Sequence, residues 1–97
     1  MTTQVRVYRI KRGMLSEFSK EWREHVMPLR RRFGFKVLGA WESAETDTFV
    51  WIISHDADFI SADRAYYESP DRAALKPDPA RHILEPRTFF ASPVPLD

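Results

Sequence analysis

Two neighbouring stretches that are apolar on both faces constrain this chain more than any other feature. Residues Phe35 to Glu42 and Thr48 to His55 read as strands, and the polar run Ser43-Ala44-Glu45-Thr46-Asp47 between them reads as a hairpin loop. Pairing Trp41 with Phe49 sets Gly39 against Trp51, Val37 against Ile53 and Phe35 against His55, all on one face. The missing side chain of Gly39 then leaves room for the Trp51 indole. Leu38, Ala40, Val50, Ile52 and Ser54 take the other face. A sheet with one side in water alternates apolar and polar residues, so both faces of this hairpin need a cover.

The helix pattern supplies one cover. Leu15, Phe18, Trp22, Val26, Leu29 and Phe33 form a continuous stripe at the helical period, which predicts a helix over Met14 to Phe33. Glu17, Lys20, Glu21, Glu24 and Arg31 take its polar face, Arg30-Arg31-Arg32 read as a solvated helix end, and Gly34 supplies the stop. Pro28 removes one backbone hydrogen bond, so a bend is expected near Glu24. Gln4 to Ile10 reads as a strand interrupted by Arg6 and Arg9. Asp56 or Asp58 can cap a second helix over Phe59 to Glu68. Ser69-Pro70 and Asp78-Pro79 each place a capping side chain before a proline, predicting two short helical turns. Pro86 then precedes a last strand, Arg87 to Ala91, and residues 92–97 trail as a tail.

Strand, helix, strand, strand, helix, strand predicts an α+β fold, the ferredoxin-like split β-α-β sandwich (βαββαβ) with a four-stranded antiparallel sheet. We read residues 1–97 as one domain with its core over about 4–91. Helices in this plan cover one sheet face. The other, equally apolar, is then a protein interaction surface, and a two-fold contact with a second copy is the commonest solution.

Composition narrows the partners. A net charge of +1 gives no field to draw the chain onto nucleic acid or an anionic membrane. The longest apolar run, Phe49 to Ile53, is far short of the ~20 residues a membrane span needs. The N-terminus shows no secretory pattern, so a soluble, cytoplasmic protein is expected. Without cysteine there is no thiolate chemistry, and 3 glycines leave little material for phosphate or dinucleotide loops. No metal-ligand spacing stands out and no cofactor is expected. Aromatics at 13% favour a core or pocket lined with flat rings, hence a small apolar or aromatic ligand.

Val5-Arg6-Val7-Tyr8-Arg9-Ile10, Gly13, Glu17-Phe18, Gly34-Phe35 and Gly39-Ala40-Trp41 together resemble the NIPSNAP family. Ala65-Tyr66-Tyr67-Glu68-Ser69-Pro70-Asp71-Arg72 and Asp78-Pro79-Ala80 resemble its bacterial members. One departure is that Arg81 and His82 follow Ala80, where family members often carry an aromatic. The resemblance implies a dimeric α/β-barrel: two ferredoxin-like subunits joined through their open sheet faces, with any pocket between sheet and helices. It implies no single reaction, since that superfamily spans cofactor-free oxygenases, polyketide cyclases, haem-binding enzymes and members without an established activity.

Candidate residues follow from both lines. His82 lies where some enzymes of that superfamily place a working histidine, and it is the first candidate for a general acid or base; a surface histidine on an irregular segment is the alternative. His25 adjoins the apolar stripe, with Glu21 four residues earlier to orient it. Tyr66 could donate to a bound carbonyl or quinone. Tyr8, Trp22, Trp41, Trp51 and Tyr67 could stack on a ring, or could be plain core. Arg72 could hold an anion, or could bridge to Asp63 or Asp78. His55 with Asp56 and Asp58 could bind a metal, although carboxylates at a helix start more often cap it. These candidates support oxygenase, cyclase or isomerase chemistry without a cofactor, or a non-catalytic interaction module.

Overall fold

The computed structural model describes residues 1–97. Its elements are β1 (Thr2–Ile10), α1 (Leu15–Glu21), a π-helical turn (Trp22–Val26), α2 (Met27–Arg32), β2 (Lys36–Ser43), β3 (Thr48–His55), α3 (Phe59–Glu68), α4 (Pro70–Ala73), a 3-10 turn (Pro79–His82) and β4 (Ile83–Ala91). The strands form one antiparallel sheet in the order β2-β3-β1-β4. This is the ferredoxin-like α+β topology expected from the order of elements. No helix is long and apolar enough to cross a membrane.

The stripe on the first helix packs against the sheet. Leu15, Phe18, Trp22 and Leu29 are buried with Tyr8, Ile10, Phe49, Trp51 and Ile53, and their rings meet edge to face. Near Glu24, where a bend is expected, the helix widens into the π-helical turn, and Met27 N–H donates to the Trp22 carbonyl. Pro28 has no N–H for Glu24, and the wider turn accommodates that loss. Asp58, not Asp56, caps α3, accepting from the N–H groups of Ile60 and Ser61. Ser69 caps α4 through Arg72 N–H and Asp78 caps the 3-10 turn through Ala80 N–H, as the two Pro signals predict.

Three expectations are overturned. In the hairpin, Val37 pairs with Ile53 as read, but an extra residue at Leu38 shifts the ladder. Gly39 then pairs with Ile52, Ala40 with Trp51 and Trp41 with Val50. Because side chains alternate with a period of two, this bulge moves Gly39 and Trp41 to the opposite face from Phe49 and Trp51. The space over Gly39 is filled by Trp41's own indole, 2.7 Å from where a Cβ would stand. Second, β4 begins at Ile83 and includes Pro86. It is an edge strand, where a proline is tolerated. Third, Arg30 is no solvated helix end: it is 1% exposed.

The sheet's two faces are now assigned. Gln4, Arg6, Tyr8, Phe49, Trp51 and Ile53 face the helices. Val5, Val7, Val50, Ile52, Trp41 and Phe89 lie on the face without helices, where Trp41 and Phe89 are exposed.

Gly34 joins the helix to β2 at φ +86, and a Cβ there would lie 3.0 Å from His55 Nε2. Both the backbone and the imidazole oppose any side chain. Gly34→Ala is therefore expected to lower unfolding stability by about 1–3 kcal/mol, measured by urea denaturation. An unchanged midpoint would remove this account of the helix stop.

Candidate functional site

The site grows from one carboxylate. Asp63 on α3 accepts, at a single oxygen, from Arg30 of α2 at 2.6 Å and from Arg6 of β1 at 3.1 Å. Arg6 also donates to Gln4 at 2.8 Å, Tyr67 at 3.0 Å and Tyr8 at 3.3 Å. Burial alone would loosen the Arg6 proton, but the oxygens of Tyr8, Tyr67 and Asp63 outweigh it and hold the guanidinium firmly charged. Arg30 is stacked among rings, its guanidinium carbon 3.8 Å from the centre of Tyr66 and 4.8 Å from that of Phe35.

Beside this cluster, between sheet and helices, lies a small cavity of about 70 Å³. Tyr8, Phe18, Trp22, Trp51 and Tyr66 supply aromatic walls, and Arg30 and Arg72 supply charge. A groove of about 360 Å³ shares Tyr8, Tyr67, Ala80 and Ile83 with it and adds Arg6. Six buried side-chain polar atoms have no hydrogen-bond partner: Trp22 Nε1, Trp51 Nε1, Arg30 Nε, Arg72 Nε, the Tyr66 hydroxyl and Ser54 Oγ. All but Ser54 belong to residues that line the cavity. Buried polar groups left unpaired cost stability, and five of the six gather on residues around this one cavity. Burial pushes the Tyr66 phenol above its ordinary 10.0 against the pull of Arg30 and Arg72, so it remains a neutral O–H donor.

The sequence candidates divide. Tyr8, Trp22, Trp51, Tyr66, Tyr67 and Arg72 all line the cavity. Trp41 lies on the helix-free face, and His25 is exposed on a separate groove with Glu17, Glu21 and Arg81. His82 is buried, but its ring contacts Phe18 and Glu21 and does not line the cavity. Glu21 does not orient His25; it binds Arg81 through both oxygens at 2.8 Å and His82 at 3.3 Å. Arg72 bridges to Asp78 at 2.9 Å. His55 donates from Nε2 to the Phe33 carbonyl and accepts Ala57 N–H at Nδ1, while Asp56 pairs with Lys36, so this trio is structural. Glu17, Glu21 and His82 offer ligand atoms within 4.8 Å of one another, the grouping that could hold a cation. The Arg81 guanidinium already engages Glu21 there.

Sequence reasoning missed Arg6 and Arg30. Both carry a signal: Arg6 shares the alternation of Gln4 and Tyr8, and Arg30 stands four residues beyond Val26 and eight beyond Trp22.

No protein-family model matches the chain, and no curated protein does. Solved structures do. A NIPSNAP domain protein from Burkholderia xenovorans superposes with a TM-score of 0.83 at 20% identity, covering 100% of this chain and 98% of its own. A NIPSNAP family protein from Agrobacterium tumefaciens gives 0.86 at 16% identity, covering 98% and 94%. The fold is that of the NIPSNAP structures. An antibiotic biosynthesis monooxygenase also shares it, with a TM-score of 0.68 at 17% identity, covering 98% and 100%.

Two outcomes test the electrostatics. Asp63→Ala strands Arg6 and Arg30 without their shared carboxylate and is expected to cost about 3–5 kcal/mol in urea unfolding; a loss within 0.5 kcal/mol (~) would refute the hub. Glu21 is opposed by burial but held below its ordinary 4.5 by Arg81 and His82. Its contribution is therefore full above 4.5 and lost as pH falls through the lowered folded value. Glu21→Gln should be less stable at neutral pH and show a flatter loss of stability in acid, read by melts across a pH series.

Proposed function

We propose that this chain is a NIPSNAP-like protein that works as a homodimer and binds a small, largely apolar or aromatic metabolite in the cavity between sheet and helices. The observation that carries the binding reading is the gathering of five unpartnered buried polar atoms on residues lining one cavity with aromatic walls. Such walls with a few convergent polar groups are what small-molecule sites share. The neighbouring groove extends the space available to a ring that enters beside Tyr8 and Tyr67.

The dimer reading rests on the helix-free face. Val5, Val7, Val50 and Ile52 form its centre, flanked by exposed Trp41 and Phe89. An apolar surface of this kind calls for a protein partner, and packing two such faces about a two-fold axis would close a barrel. Chemistry without a cofactor, of the oxygenase, cyclase or isomerase kind, belongs to this reading, and among the three the fold shared with an antibiotic biosynthesis monooxygenase favours the oxygenase. Of the three candidates for proton work, Tyr66 is the one at the cavity, and His82 and His25 stand on the Glu21 side of the first helix. In this reading Tyr66 donates to a ligand oxygen.

Sedimentation of the wild type at micromolar concentration is expected to give a dimer, and Trp41→Glu with Val50→Asp a folded monomer; a wild-type monomer refutes the association. For the site, a screen of ring compounds by tryptophan fluorescence is expected to yield binders weakened about tenfold by Tyr66→Phe. A cavity that takes only water in the crystal after soaking would favour the non-catalytic interaction module.

A further inference from the structure

The unpartnered polar atoms on the residues around the cavity are almost all donors. An indole N–H has no acceptor capacity and a guanidinium has none either. Trp22, Trp51, Arg30 and Arg72 therefore present four N–H groups and no lone pair. Tyr66 brings an unpartnered hydroxyl. The hydroxyls of Tyr8 and Tyr67 already accept from Arg6, which leaves their protons to give away. No carboxylate is among the residues that line the cavity.

The charge count points the same way. Arg6, Arg30 and Arg72 are the cations of the cluster, and Asp63 and Asp78 are the carboxylates that pair with them. Arg6 and Arg30 share one oxygen of one carboxylate, so a buried positive charge is left over. A buried, uncompensated charge is costly, and an anionic ligand would supply what the chain does not.

Resting on the small-molecule reading above, we infer that the ligand is a flat ring bearing an anionic oxygen, a carboxylate or a phenolate, seated across the cavity and its adjoining groove with its oxygen toward the cluster of Arg6, Arg30 and Arg72. The aromatic walls of Trp22, Trp51 and Tyr66 suit the ring, and the surplus of positive charge suits the oxygen. A neutral amide of the same shape would place an NH₂ group against N–H donors and lose the charge.

Benzoate and benzamide separate these alternatives on the intact protein. Isothermal titration is expected to give benzoate at least about tenfold tighter binding than benzamide. In ¹⁵N spectra the indole N–H signals of Trp22 and Trp51 should move with benzoate, and that of Trp41 should not. Arg72→Gln removes one cation at the less buried edge of the cluster; it should weaken benzoate several-fold and leave benzamide little changed. If that variant fails to fold, benzyl alcohol, a neutral ring of similar size, serves the same comparison against benzoate on the wild type. Equal affinity for both probes overturns the anion while leaving an aromatic site standing. Failure of both to shift any indole signal at millimolar concentration overturns the anion and the small-molecule reading together.

Discussion

The sharing of one Asp63 oxygen by Arg6 and Arg30 is the contact on which this architecture turns. It ties the first strand, the end of the first helical region and the middle of α3 at a single point inside the protein. Two long cationic side chains are thereby carried into the layer between sheet and helices, where neither would enter unpaired. Tyr66 and Phe35 stack on the Arg30 guanidinium, and Tyr8, Tyr67 and Gln4 take three further donors of Arg6. The aromatic cavity lies beside this cluster and shares Tyr8, Tyr66, Tyr67 and Arg30 with it.

Much of the fold was legible in the sequence, because local chemistry and tertiary packing agree there. The stripe from Leu15 to Phe33, the stop at Gly34 and the caps at Asp58, Ser69 and Asp78 each have a short-range cause. The Leu38 bulge was not legible. Nothing in a run of alternating apolar residues distinguishes a regular ladder from one with an extra residue, since both faces offered apolar partners. The composition that made the hairpin recognisable also hid its register.

The candidate site was legible in part. Its aromatic members were found from residue type alone, and six of the residues named from sequence stand around the cavity. The histidines were chosen for their chemistry, yet His55 and His82 are occupied by backbone and carboxylate partners in other parts of the structure. Arg30 was hidden by its two neighbours, Arg31 and Arg32, which are exposed and make the triplet look like a charged helix end. A charge run conceals a buried member whenever one of its positions falls on the apolar stripe.

The bulge at Leu38 also sets how the molecule can change. On β1 the even-numbered side chains belong to the cavity layer and the odd-numbered ones to the open face, and on β3 the parity is reversed. On β2 parity itself switches at Leu38: Val37 opposes Ile53, whereas Ala40 opposes Trp51. Every strand position thus answers to one layer only, and the two layers meet solely through backbone. The cavity lining and the open face can then drift along separate sets of residues, with β2 the strand in which the loss or gain of one residue would exchange the two.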